Sequence, residues 1–247
     1  MAQNTNGIII CCRYAYPPNS LSLCGPENKT GDLQYSSTNK ISGQYTEDAL
    51  RQFATLSPSL LMIAYENNIR DPFDRRVVEA YWLGNSLLEY IPKKSFAGHL
   101  RNTLSLKKKM ENKDLNKILE KLKYQSLPNH SFHVLNVYKR TGHLDIKHTV
   151  ETMDACIINW GQITEILPGH VKIKTQRLIQ LNNRLTLEKN IIRKINMQDI
   201  KDKIGENLSI GDYISYHWGI LCQKITPGQM SNLKYYTGMS LNLANIM

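Results

Sequence analysis

Apolar residues along this chain follow two different periods. Up to about residue 150 they recur three and four positions apart, the spacing of a helix face. Leu50, Phe53, Ala54 and Leu56 form one such set in TEDALRQFATL, which Thr46 can cap. Ser57-Pro58 opens a second helix through SLLMIAYENN. Asp71-Pro72 has the form of an N-cap and first-turn proline for FDRRVVEAYWLGNSLLEY. Along that stretch Val77, Val78, Tyr81, Trp82, Leu87 and Leu88 recur at helical spacing, and Pro92 ends it. Leu100, Leu104 and Leu106 predict a short helix, and DLNKILEKLK another through Leu115, Ile118, Leu119 and Leu122. Residues 17–45 are rich in Pro, Gly, Ser and Asn and read as loop.

Near residue 153 the period changes. CIINWGQITEI, HVKIKTQRLIQL, RLTLEKNIIRKI and DYISYHWGILCQKI alternate and are rich in β-branched residues. Pro168-Gly169 and Asn182-Asn183 have the composition of tight turns between them. After Thr226-Pro227-Gly228 the chain turns helical again, with Met230, Leu233, Tyr236, Met239 and Leu243 on one face. The expected fold is therefore α+β: a mainly helical domain over 1–150, then a small β-barrel domain with a closing helix over 151–247.

Composition narrows the class. Apolar residues make up 41% and mean hydropathy is −0.39, with no window near the roughly 18 apolar residues a membrane span needs. The start, MAQNTNGIIICCRYAYPP, has no basic n-region, so no signal peptide is expected. Five cysteines scattered through 247 residues do not make a disulfide framework, which implies a reducing, cytoplasmic setting. Net charge is +10, and residues 93–123 alone hold 10 basic against 3 acidic residues. Such a segment reads as a solvated helical face, or as a patch for nucleic acid or an acidic protein. No RNP-type motif or zinc-finger spacing accompanies it.

Candidate chemistry is sparse. There is no G-x-G-x-x-G, P-loop, G-x-S-x-G elbow or H-E-x-x-H, so no enzyme is expected. Asp74 and Glu79 fit helix capping and i,i+3 or i,i+4 pairing better than acid–base work. Cys11, Cys12 and Cys24 could form a metal cluster with the H-x-x-H pair His130 and His133, since histidines three apart share a helix face. Cys156 and Cys222 read either as core residues or as reactive thiols.

Two blocks in the second half carry a resemblance. Cys156-Ile157-Ile158-Asn159-Trp160-Gly161-Gln162-Ile163-Thr164-Glu165-Ile166 opens it, and Ile210-Gly211-Asp212-Tyr213-Ile214-Ser215-Tyr216-His217-Trp218-Gly219-Ile220 comes late. Together, over about residues 153–247, they resemble the HypC/HupF family of [NiFe]-hydrogenase maturation chaperones. Cys156, Gly161, Ile163, Glu165 and Ile166 match its first block; Gly211, Asp212, Tyr213, Ile214, His217 and Gly219 match its second. Here the cysteine is internal, Trp160 stands where the family has proline, and the stretch between the blocks is longer.

The resemblance implies an OB-like barrel and an accessory role in hydrogenase assembly. Cys156 would be a thiolate ligand, assisted by His217, for iron bearing cyanide and carbon monoxide. Trp160, Gly161, Asp212 and Trp218 would face a partner, either a hydrogenase large-subunit precursor or a HypD-like maturation protein. Two alternatives stand beside this reading. One is a single-stranded nucleic-acid module using Lys172, Lys174, Arg177 and Arg184 with Trp160 and Trp218 as stacking residues. The other is a metal-free interaction scaffold.

Overall fold

In the computed structural model the N-terminal apolar run lies inside a long helix, α1 (Ala2–Ser20). The structure describes residues 2–39, 43–125, 127–137, 148–197 and 208–246. Residues 7–19 of α1 are buried without a break, so this helix is enclosed on every side within the helical region. It packs against α2 (Thr30–Asn39), α3 (Gln44–Arg51) and α5 (Arg75–Trp82).

Of the expected loop over 17–45, residues 17–39 and 43–45 are mostly helical, and residues 40–42 lie outside the described residues. Its polar residues are small and satisfy themselves locally. Ser37 Oγ and Thr38 Oγ1 donate to the Gln34 carbonyl at 2.8 and 2.9 Å, and Ser36 Oγ pairs with Thr46 Oγ1 at 2.7 Å. With its hydroxyls turned back onto the backbone, α2 can bury Leu33 against α1. Tertiary packing overrides the propensity that suggested loop.

α4 (Leu56–Glu66) forms where the periodicity placed it. α5 is shorter than the helix expected up to Pro92: it ends at Trp82, Gly84 at φ 85° turns the chain, and Ser86–Leu88 make a separate 3-10 turn. The cap of α5 is Asp74 rather than Asp71: Asp74 Oδ1 accepts from Arg76 N at 2.9 Å. Asp71 Oδ1 instead accepts from Phe73 N at 2.9 Å, in a turn that buries Phe73 before the helix starts. Then come α6 (Lys93–Gly98), α7 (Leu106–Lys109), α8 (Asn112–Lys121), α9 (His130–Asn136) and α10 (Val150–Cys156). Every basic residue in 93–123 except Lys121 is exposed.

The second half holds β1 (Asn159–Leu167), β2 (His170–Leu181), β3 (Arg184–Asn196), β4 (Tyr213–His217) and β5 (Ile220–Lys224), then α11 (Pro227–Ala244). The order β1-β2-β3-β5-β4, with β4 paired back onto β1, closes the sheet on itself. Gly161 sits opposite Thr175 on β2 and Ile214 on β4. A Cβ there would lie 2.8 Å from the Lys174 carbonyl oxygen and 2.7 Å from Ile173 Cδ1, so only hydrogen fits. The β4–β5 turn is two residues, Trp218 at φ 50° and Gly219 at φ 73°, the primed type whose twist suits a hairpin.

Ile163, Val171, Ile173, Ile195, Ile214 and Leu221 form one core, contributed by all five strands. A larger core crosses residue 150, joining Tyr14, Trp82 and Leu100 to Ile158, Trp160 and Cys222. The eleven α-helices and five strands of the described residues thus form an α+β structure whose helical and sheet regions share packing.

Candidate metal centre

α10 starts at a capping box of Thr149 and Thr152 and ends on Cys156. It is fastened to the sheet by the largely buried Asp154. That carboxylate accepts from Leu178 N at 2.7 Å and from Arg193 Nη2 at 2.6 Å. The Asn159 amide donates to the Asp154 carbonyl at 2.7 Å. From the other side, Trp218 N donates to the Ala155 carbonyl at 2.9 Å. This bond joins the tip of the β4–β5 hairpin to the last turn of α10. It brings His217, one residue before the tip, beside Cys156. The expected strand beginning at Cys156 is therefore a helix end, with β1 starting at Asn159.

The rings are oriented by backbone. α1 contains Pro17 and Pro18. Proline has no N–H, so Pro18 cannot donate to the carbonyl four residues back, that of Tyr14. That carbonyl accepts from His217 Nδ1 at 2.7 Å. Tyr14 also meets β4 through its hydroxyl, 2.7 Å from Ser215 Oγ. A carbonyl only accepts, so His217 carries its proton on Nδ1 and its lone pair on Nε2.

His130 follows the same logic. It is the first residue of α9, behind Asn129, whose Oδ1 caps Phe132 N at 3.0 Å. Its Nε2 donates to the Cys156 carbonyl at 2.7 Å, which leaves the lone pair on Nδ1, 3.5 Å from the Tyr81 hydroxyl. One ligand atom from each of His130, Cys156 and His217 lies within 4.8 Å of the other two. These three residues could hold a metal ion. Their donors are two imidazoles and a thiol, a set suited to soft and borderline metals.

The cluster borders a cavity of about 60 Å³. Cys24, His133, His148, Tyr81 and Trp82 line it as well. The Trp82 ring stands 4.7 Å from that of His130 and 5.9 Å from that of His217, forming an aromatic wall. Cys24 is carried there by a loop that Asn19 organises. Asn19 Nδ2 donates to the Cys24 and Pro26 carbonyls, each at 2.9 Å. His133 Nδ1 is buried with no hydrogen-bond partner among the described residues, and burial pushes this histidine down to about 3. It is neutral at pH 7.

The chain belongs to the family of unknown function DUF6390, matching it over residues 3–247. No curated protein and no solved structure matches the chain. The family match spans both regions that build the centre: the helices supplying His130 and the sheet supplying His217.

The structure divides the other candidate residues. Cys24, His130 and His133 line the same cavity as Cys156 and His217. Cys11 and Cys12 are not among its lining residues, so the expected Cys11, Cys12, Cys24, His130, His133 cluster does not assemble. They are fully buried in α1, where desolvation pushes the Cys11 thiol up to about 12 and raises Cys12 as well. Cys222 is fully buried too. Trp160 and Gly161 are buried, Trp218 is half-buried, and Asp212 pairs with Lys224 at 2.7 Å. Sequence reasoning missed that His130 joins Cys156 and His217. The signal available was the H-x-x-H pair behind the helix-capping Asn129.

Proposed function

We propose that this chain is a non-catalytic accessory protein of [NiFe]-hydrogenase maturation. It holds iron bearing cyanide and carbon monoxide through Cys156 and His217, and it docks a large-subunit precursor or a HypD-like protein. One observation carries the reading: the two residues marked by separate sequence blocks meet at one cavity, their ligand atoms within 4.8 Å. The closed five-stranded sheet followed by α11 supports an OB-like domain of the HypC/HupF kind. Gly161 and Gly219 have clear structural reasons to stand in those blocks, one steric and one conformational. A reducing, cytoplasmic setting goes with the reading.

The nucleic-acid alternative has less support. Trp160 is buried, and Lys172 and Arg177 are engaged in ion pairs with Glu165 and Glu188. The test is an infrared spectrum of protein purified without oxygen after co-expression with hydrogenase maturation proteins, beside a Cys156→Ala variant. Cyanide and carbonyl bands present in the wild type and lost in the variant are expected. Their absence from both samples removes the iron-carrying role.

A further inference from the structure

We propose that His130, Cys156 and His217 form a three-ligand site for a divalent metal of the zinc type, with an open fourth position on the cavity that takes a small anion. The inference goes beyond the accessory-protein reading: it adds a ligand from the helical region and gives Cys156 and His217 a different occupant. It does not depend on the iron unit.

Four observations support it. The ligand atoms lie within 4.8 Å of one another, while donors around a tetrahedral zinc stand roughly 3.3–3.7 Å apart. Closing the difference takes side-chain shifts of about an ångström, well within rotamer adjustment around a bound ion. Both rings are already held by the kind of contact that orients metal-bound histidines. Each donates one ring N–H to a backbone carbonyl: His217 Nδ1 to Tyr14, His130 Nε2 to Cys156. The donor set contains no carboxylate, which disfavours magnesium and calcium and favours zinc, cobalt or iron. Finally, three protein ligands with a neighbouring void is the arrangement of zinc sites that keep a position for an exogenous ligand.

Charge decides the class of that fourth ligand. Two neutral imidazoles, one thiolate and a divalent ion leave one net positive charge. The nearby carboxylate of Asp154 is spent on Arg193. The cavity wall beside the cluster is aromatic, so an unbalanced charge there is costly and an anion offsets it. A cavity of about 60 Å³ has room for a small anion.

Cobalt titration of the reduced full-length chain, under argon and with no other protein present, tests this. One equivalent of cobalt is expected to give a thiolate-to-metal charge-transfer band and tetrahedral visible bands, displaced by zinc. Cys156→Ala should abolish the charge-transfer band. His130→Ala should weaken cobalt binding about tenfold or more. Azide should shift the visible bands. Circular dichroism of each metal-free variant confirms folding, and zinc should raise the melting temperature of the wild type but not of Cys156→Ala. A wild type that shows no thiolate–cobalt band overturns the site. Unweakened binding by a folded His130→Ala overturns the third ligand. Visible bands unmoved by azide overturn the open position. None of these results depends on infrared bands from co-expressed protein, so this proposal and the iron-carrying role fail separately.

Discussion

Cys11 and Cys12 stand beside each other in the middle of a helix that is buried all round. Cys156 stands at the last position of a seven-residue helix, half-buried, on the rim of a cavity. The residue type is the same and the environments are opposite. In α1 the sulfur is a small hydrophobic filler, and desolvation keeps it protonated. At the end of α10 it meets two imidazoles whose second nitrogens are already tied to backbone. Cysteine chemistry in this chain is set by which element ends nearby and what that end leaves open.

The largest expected effect is kinetic. Under native conditions a maleimide should modify Cys156 and Cys24 at least on the order of 100-fold faster than Cys11, Cys12 and Cys222, because the buried thiols react only after unfolding. Peptide mass spectrometry at timed quenches reads this. Rapid labelling of Cys12 in folded protein would erase the contrast.

Histidines extend the comparison to acid stability. Burial lowers His99 to about 4 and His133 to about 3, from an ordinary value of 6.5. Both are neutral in the folded chain and protonate when it unfolds. Their contribution is therefore complete above pH 6.5 and is lost as pH falls toward 4 and then 3. Each should remove about 1.4 kcal/mol of stability per pH unit in that window. Urea midpoints at pH 7, 6 and 5 should fall steadily. A flat profile would mean that neither ring is held neutral.

Smaller effects separate filler from ligand. Cys12→Ser places a hydroxyl in the apolar core and should cost about 1–3 kcal/mol. Cys156→Ser in the metal-free protein should stay within about 0.5 kcal/mol. Equal losses at the two positions, measured by urea unfolding, would end the distinction. Gly219→Ala forces a side chain into a left-handed turn and should cost about 1 kcal/mol. An unchanged midpoint would show that the hairpin tip tolerates another turn.

The sheet was the most legible part of the chain. β2 alternates clearly, and Asn182-Asn183 marks the turn into β3 with both residues at positive φ. α1 was not legible, since a helix buried on all sides has no polar face to give it a period. α2 was hidden by its Ser and Thr content, and the end of α10 by Cys156-Ile157-Ile158, an apolar run that reads equally well as strand. At the centre, Cys156 and His217 were marked by their blocks, and His130 and His133 by their spacing. Their meeting was not legible. It depends on the Trp218–Ala155 bond, on the Asp154 anchor and on the carbonyl of Tyr14, contacts between segments far apart in the chain.

Pro18 has an effect that works through omission. Most residues that shape a side-chain cluster do so by offering a group; Pro18 does so by lacking one. Were it alanine, the helix would gain a competitor for the Tyr14 oxygen, and the imidazole 203 positions further along from Tyr14 would have to share its anchor. A substitution that improves the regularity of α1 would loosen the aim of a ring on the far side of the fold. The irregularity of the first helix and the order of the centre are the same fact seen from two ends of the chain.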